Sequence, residues 1–187
     1  MKKALIFLTL IFSLQSISMA QVTEGFEDDF TDNTGAWPES NNENVFSNVE
    51  NGQYILEHKR KQMSWMFFKS VFVNPDKDFY IESKMTQLAG VDDDGYGIVF
   101  GMSGIQNYYS FVVSSDGRCF LYGYKNNEYF SSQGWTKGDG INKKKTANVL
   151  GIKKNGSYDF FFCKWHTHVY AELSELFWSL SRICSES

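Results

Sequence analysis

Three groups of residues in this chain have the types and spacing to do chemistry. The first is aromatic. Tyr108, Tyr122, Tyr124, Tyr129 and Trp135 fall within one short span. Aromatic rings stack on the apolar faces of sugar rings, and tyrosine hydroxyls bond to sugar hydroxyls, so these five are the candidate carbohydrate-binding residues. The second group is acidic. Asp92, Asp93 and Asp94 make the densest run of carboxylates. Calcium takes several oxygen ligands from one loop, and this run offers them, although without the spacing of an EF-hand. Asp28, Asp29 and Asp32 form a second acidic set. The third is Glu82. Glycoside hydrolysis needs two carboxylates across the scissile bond. Glu82 is the candidate acid, but its strand neighbours are Tyr80, Lys84 and Thr86. No catalytic pair is evident, which points away from an enzyme. His58 has no Cys or second His nearby in the sequence, so it reads as an ordinary strand residue.

The aromatic group is positioned by three short runs rich in β-branched and aromatic residues. They span about Tyr96–Met102, Tyr108–Ser114 and Arg118–Tyr124. Gly, Asn and Asp bound them, as expected for consecutive antiparallel strands. A three-residue loop, Ser115-Asp116-Gly117, places Gly117 at the left-handed position that only glycine adopts cheaply. Val113 then faces Cys119 and Phe111 faces Leu121. Side chains alternate along a strand, so Phe111, Val113, Cys119 and Leu121 share one face. Tyr108, Ser110, Phe120, Tyr122 and Tyr124 share the other. A two-residue loop would mix the two sets.

The rest of the chain reads as further short strands. Val45–Val49 and Gln53–His58 flank an Asn51-Gly52 turn, and Ser64–Val73 reads as a long apolar strand. Phe79–Leu88 alternates with Phe79, Ile81 and Met85 on one side. Asn126–Asn142 reads as a loop carrying Tyr129, Phe130 and Trp135. Ala147–Lys153 and Tyr158–Phe162 flank Asn155-Gly156, with Leu150, Ile152, Tyr158, Phe160 and Phe162 as the expected inner face. Many short strands with turn signals between them indicate an all-β sandwich.

Gly95-Tyr96-Gly97-Ile98-Val99-Phe100-Gly101, followed by Asn107-Tyr108-Tyr109-Ser110-Phe111-Val112-Val113-Ser114-Ser115-Asp116-Gly117, resembles the concanavalin A-like lectin/glucanase superfamily. It is most similar to the LamG-like and DUF1080-like jelly-roll modules of secreted bacterial proteins. Phe26–Asn33 resembles their first strand and turn, and the likeness runs from about Phe26 to Phe162. The resemblance implies a jelly-roll β-sandwich. It also implies calcium at a loop, with Asp92, Asp93 and Asp94 as the candidates. Laminarinase-like glucanases of this superfamily carry Glu-x-Asp-x-x-Glu along one strand, and that spacing does not occur here. DUF1080-like relatives act on 3-keto-disaccharides, which supplies an alternative hydrolase reading. An extracellular protein-interaction scaffold is the third reading.

Composition bounds these readings. The chain has 187 residues, enough for one domain with a full core. Residues 1–20 read as a secretory signal: Lys2 and Lys3, an apolar run from Leu5 to Leu14, then Ser18-Met19-Ala20. The run is too short to span a membrane, and secretion to the periplasm or medium is expected. The formal charge is −4, and without Lys2 and Lys3 the balance is 16 basic to 22 acidic residues. That disfavours nucleic acid as a partner, because phosphate binding wants a basic face. Lys143-Lys144-Lys145 reads as a solvated run. Three cysteines, Cys119, Cys163 and Cys184, leave an odd thiol. Neither the pairing nor the oligomeric state follows from the sequence.

Residues 163–187 depart from the resemblance and form an atypical tail after the 21–162 domain. The resembling modules continue with Asn-Gly and Phe-Gly steps, whereas this chain has Cys163-Lys164-Trp165-His166 and Phe177-Trp178-Ser179. Reading one nucleotide later turns Trp165-His166 into Gly and permits Val-Asn ahead of it. The tail therefore reads as a frame-shifted, non-native segment. The alternative is a helix, since Leu173, Leu176, Phe177, Leu180 and Ile183 repeat at helical spacing.

Overall fold

The computed structural model describes residues 25–61, 64–71, 73–74, 76–132, 134–156, 158–163 and 169–172. The expected leader and the expected helix over 173–183 lie outside the described residues. Among the described residues the protein is all-β. No helix there is long and apolar enough to cross a membrane.

Among the described residues, twelve strands form three antiparallel sheets. A small sheet contains β1 (Ser40–Asn41), β2 (Val45–Glu50) and β3 (Gln53–His58). The back sheet has the order β12 (Val169–Glu172), β11 (Tyr158–Cys163), β10 (Asn148–Asn155) and β4 (Phe79–Met85). The front sheet runs β5 (Gly95–Gly104), β6 (Asn107–Ser114), β7 (Arg118–Lys125) and β8 (Glu128–Ser131), and β9 (Thr136–Lys137) also pairs with β7.

The back and front sheets face each other across one core. Ile98, Phe111, Val113 and Leu121 come from the front sheet, and Leu150, Ile152, Phe161 and Cys163 from the back. Phe161 bridges the two, with its ring 5.6 Å from both Phe100 and Phe111. Phe79 and Met85 of β4 pack against the same cluster, as their alternation requires. One buried polar group ties the sheets together. Asn148 is fully buried. Its Nδ2 donates to Tyr96 Oη at 2.8 Å and to the Asn142 carbonyl at 3.0 Å. Its Oδ1 accepts from Asn142 N–H at 2.7 Å and from the Cys163 thiol at 3.4 Å. A buried amide is tolerable only when bonded in this way.

Local turn chemistry sets most of the registers. Val113 pairs with Cys119 and Phe111 with Leu121, so Ser115-Asp116-Gly117 is the three-residue loop, with Gly117 at φ 95°. Asn51 and Gly52 both have positive φ, as the β2–β3 hairpin demands.

Three expectations are corrected. The hairpin between β10 and β11 has a two-residue turn, 156–157, because Asn155 pairs with Tyr158. Leu150 therefore pairs with Cys163 and Ile152 with Phe161, so Phe161 and Cys163 hold the inner face in place of Tyr158, Phe160 and Phe162. The expected set required a three-residue loop, and one residue of slip exchanges the faces. Ser64–Val73 is not a strand: its described residues pair with no sheet edge, and Trp65, Phe68 and Val71 are exposed. Asn126–Asn142 is not a plain loop, since Asn126 and Asn127 make a tight turn with positive φ that opens β8. β12, whose residues fall within 163–187, pairs with β11.

Two core variants test this arrangement. Phe161→Ala is expected to cost about 3–5 kcal/mol of stability, as a large-to-small change at a packed site. Asn148→Ala is expected to cost about 1–3 kcal/mol by stranding the Tyr96 hydroxyl and the Asn142 amide. Denaturant unfolding monitored by circular dichroism reads both, and losses below about 0.5 kcal/mol would contradict the assigned core.

Candidate functional site

The outer face of the front sheet carries the candidate site. Alternation puts Tyr108, Ser110, Val112 and Ser114 of β6 on this face, with Arg118, Phe120, Tyr122 and Tyr124 of β7 beside them. The β8 pairing sets Tyr129 opposite Tyr124 and Ser131 opposite Tyr122. Trp135, just ahead of β9, completes the set.

These rings form a continuous row. Trp135 lies 5.4 Å from Phe120, and Phe120 stacks on Tyr122 at 5.4 Å with 22° between planes. Tyr122 lies 6.5 Å from Tyr129, which meets Tyr124 edge-on at 5.5 Å. Tyr124 reaches Tyr108 at 5.7 Å. The structure thus brings together all five residues anticipated for carbohydrate binding. It also adds Phe120, whose place on this face was legible from strand parity alone. The rings are not equivalent. Tyr108 is only 7% exposed and acts as a buttress, whereas Tyr129 is 55% exposed. Burial, with smaller contributions from Tyr122, Tyr124 and Tyr129, pushes the Tyr108 phenol up, so it stays neutral.

Trp135 is held from two sides. The Arg118 guanidinium lies over its ring at 5.4 Å, a favourable cation–π geometry. Arg118 is itself fixed by Asp116, with Nε and a terminal nitrogen each 2.7 Å from the same carboxylate oxygen. Ser114 Oγ also donates to Asp116. Below the indole lies Gly95: a Cβ there would stand 2.8 Å from the ring's far edge and 3.3 Å from a Val112 methyl. Glycine at this position leaves room for the edge of the indole against the sheet.

The opposite end of the row is rich in amides. Asn127 N–H donates to the Gln106 carbonyl at 3.0 Å, and Asn126 N–H to Asn107 Oδ1 at 2.8 Å. These bonds tie the β5–β6 turn to the β7–β8 turn. Side-chain amides at the end of an aromatic surface suit hydroxyl-rich ligands.

The acidic candidates are placed differently. Asp92, Asp93 and Asp94 form the turn ahead of β5, and the Asp92 carbonyl accepts from Asp116 N–H at 2.9 Å. The charge of Asp93 reaches Arg118, which supplies a cation to this loop from the protein itself. Among the described residues, no three His, Cys, Asp or Glu side chains converge on one point that could hold a metal. Glu82 accepts a hydrogen bond from Tyr80 on the outer face of the back sheet, across the molecule from the ring row. Burial, then the bond and charge of Glu82, push the Tyr80 phenol up. His58 is in β3, with its ring 6.0 Å from Trp65 and an enclosed Nε2 that has no hydrogen-bond partner.

A second ring cluster joins the N-terminal segment to the small sheet. Trp37 lies 5.4 Å from Phe30 and 5.1 Å from Tyr54, and its Nε1 donates to Asp28 Oδ2 at 2.8 Å. Asp28 thus serves as a packing anchor. Asp29 and Asp32 are held below their ordinary value chiefly by the backbone amides of Thr31 and Thr34, and so act as turn caps.

No family model, curated protein or solved structure matches the chain.

The Arg118 bond, then the Ser114 bond, hold the Asp116 carboxyl below its ordinary 3.8. A carboxyl lowered by folding stabilises above its unfolded value and loses that effect as pH falls through the folded one. Acidification from about pH 5 to about pH 2 should therefore release Arg118 and disturb Trp135. Near-UV circular dichroism of the wild type and of Trp135→Phe would isolate the indole signal. Asp116→Asn should reproduce the change at neutral pH, and Gly95→Val should displace the indole at every pH. An unaltered indole signal in Gly95→Val would rule out this seating.

Proposed function

We propose that the protein is a secreted, non-catalytic carbohydrate-binding module, a β-sandwich of jelly-roll type like the concanavalin A-like lectins. One observation carries this reading: an unbroken row of rings, four of them tyrosines, lies on a sheet face that supplies none of the shared core. Sugars present apolar C–H faces and hydroxyl rims, and tyrosines fixed on a flat sheet match both. Among the described residues, Phe120, Tyr122, Tyr124 and Tyr129 make ring contacts only within the row. Tyr129 is exposed and Phe120, Tyr122, Tyr124 and Trp135 are half-buried, so part of each of these rings faces solvent. The resemblance of residues 95–117 to lectin-like modules supports the same reading. Glu82, the candidate acid, points away from the row, so the row gives the hydrolase alternative no support.

Affinity electrophoresis and titration calorimetry against a panel of polysaccharides, with and without calcium, test the proposal. Binding by the wild type is expected. Tyr129→Ala should weaken it about tenfold or more, or roughly 1.4 kcal/mol, while the folding stability of this exposed position changes by less than about 0.5 kcal/mol. Absence of binding to every glycan by folded protein would refute the module.

A further inference from the structure

We infer that the ring row takes an internal segment of an extended, uncharged polysaccharide chain, rather than a chain end or an acidic glycan. This inference rests on the carbohydrate-binding reading above and specifies its ligand.

The first argument is shape. Phe120, Tyr122 and Tyr124 alternate along a single strand, flanked by Trp135 at one end and Tyr129 at the other. From Arg118 to Tyr124 β7 runs roughly 20 Å at about 3.3 Å per residue, several sugar rings long. The rings of β7 follow that strand, with Tyr108 and Tyr129 beside Tyr124 on the two neighbouring strands. A chain-end site needs a wall against which the terminal sugar abuts. Here the row finishes at Tyr129, 55% exposed, and beyond it the turn at Ile105 is 73% exposed. A ligand can run past that end.

The second argument is charge. The central part of the row, Phe120, Tyr122, Tyr124 and Tyr129, offers aromatic rings and phenol hydroxyls and no acidic or basic side chain. Lys125 and Glu128, paired beyond Tyr124 and Tyr129, alternate to the other face, while on this face the charged residues of β7 and β9 stand at the Trp135 end. Arg118 and Lys137, cross-strand neighbours on β7 and β9, stand there with Asp116 and Asp93. Two basic groups meet two acidic groups, and the Arg118 guanidinium is already shared between Asp116 and the Trp135 ring. A repeating uronate or sulfated chain would lay a charge on every ring with no counter-charge beneath, a costly desolvation. A chain bearing only hydroxyls meets phenols along the row and the Asn126–Asn127 and Gln106 amides at its end.

The test is calorimetric titration of the full chain with cello-, manno-, xylo- and laminari-oligosaccharides, from disaccharide to hexasaccharide, and with polygalacturonate. For the oligosaccharide series that binds, the hexasaccharide should bind about tenfold or more tighter than the disaccharide. Blocking the reducing end should not change it, and polygalacturonate should bind at least about tenfold more weakly than the uncharged polymer. Trp135→Ala and Tyr129→Ala lie at opposite flanks, and each should remove part of the gain with length. Equal affinity for disaccharide and hexasaccharide, dependence on a free end, or preference for polygalacturonate would overturn this inference and leave the carbohydrate-binding reading standing. Failure of every glycan to bind, together with a dimer in solution that Tyr129→Ala disperses, would overturn both and assign the row to a second copy of the chain.

Discussion

The structure depends on the register between β6 and β7. A three-residue loop makes Val113 face Cys119 rather than its neighbours. From that one pairing every side chain of both strands is assigned. Phe111, Val113 and Leu121 go to the core, and Tyr108, Phe120, Tyr122 and Tyr124 go to the outer face. A slip of one residue would turn Phe111 and Val113 away from the core, losing on the order of 2 kcal/mol for each large apolar side chain moved into water. The register is thus the most strongly specified feature of the front sheet. The candidate site is its by-product, because a face built to exclude the tyrosines from the core must line them up outside.

The back sheet completes the core by a different means. Its β10–β11 hairpin has a two-residue turn, so the strands meet with opposite parity: Leu150 and Ile152 on β10 stand opposite Cys163 and Phe161 on β11. Phe161 then fills the space between the sheets against Phe100 and Phe111. At the edge of this core Asn148 links Tyr96, Asn142 and Cys163. A satisfied polar group of this kind adds little net stability but penalises sliding of one sheet over the other, since any shift strands several buried groups at once.

The contrast between the two hairpins explains what was legible. On β6 and β7 the core residues and the tyrosines separate by parity apart from Tyr109 and Val112, so composition favours one loop length. On β11 the run Tyr158-Asp159-Phe160-Phe161-Phe162-Cys163 has aromatic residues at both parities, so either face looks apolar and the loop length cannot be chosen. Asn155-Gly156 suggested a turn centre one residue early. Ser64–Val73 failed for a related reason: its apolar residues promise a strand, but a strand also needs a free edge to pair with, and sequence cannot show that. β8 was hidden by an Asn-Asn turn, although asparagine tolerates positive φ nearly as well as the Asn-Gly pair that signals a hairpin. The five ring residues fall together because each lies on or beside a strand whose parity was legible. Tyr108's burial was not visible, because it depends on how Tyr124 leans across from the next strand.

The ring row is also organised before any ligand arrives. Rings on neighbouring strands support one another at 5.4 to 6.5 Å, and Trp135 is pinned by Arg118 above the glycine that makes room for it. A tyrosine or tryptophan has only two side-chain torsions, and stacking restrains both. Ordering side chains at an interface otherwise costs about 0.5–1.5 kcal/mol for each flexible group immobilised. Long, solvated side chains such as Lys or Gln on this face would incur that cost at every contact. Rings already in contact incur it on folding, where the sheet register compensates. The constraint that sorts β6 and β7 into a core face and an outer face therefore also pre-orders the outer face, and on the carbohydrate-binding proposal that order is what would let weak contacts with a flexible chain of sugars accumulate along its length.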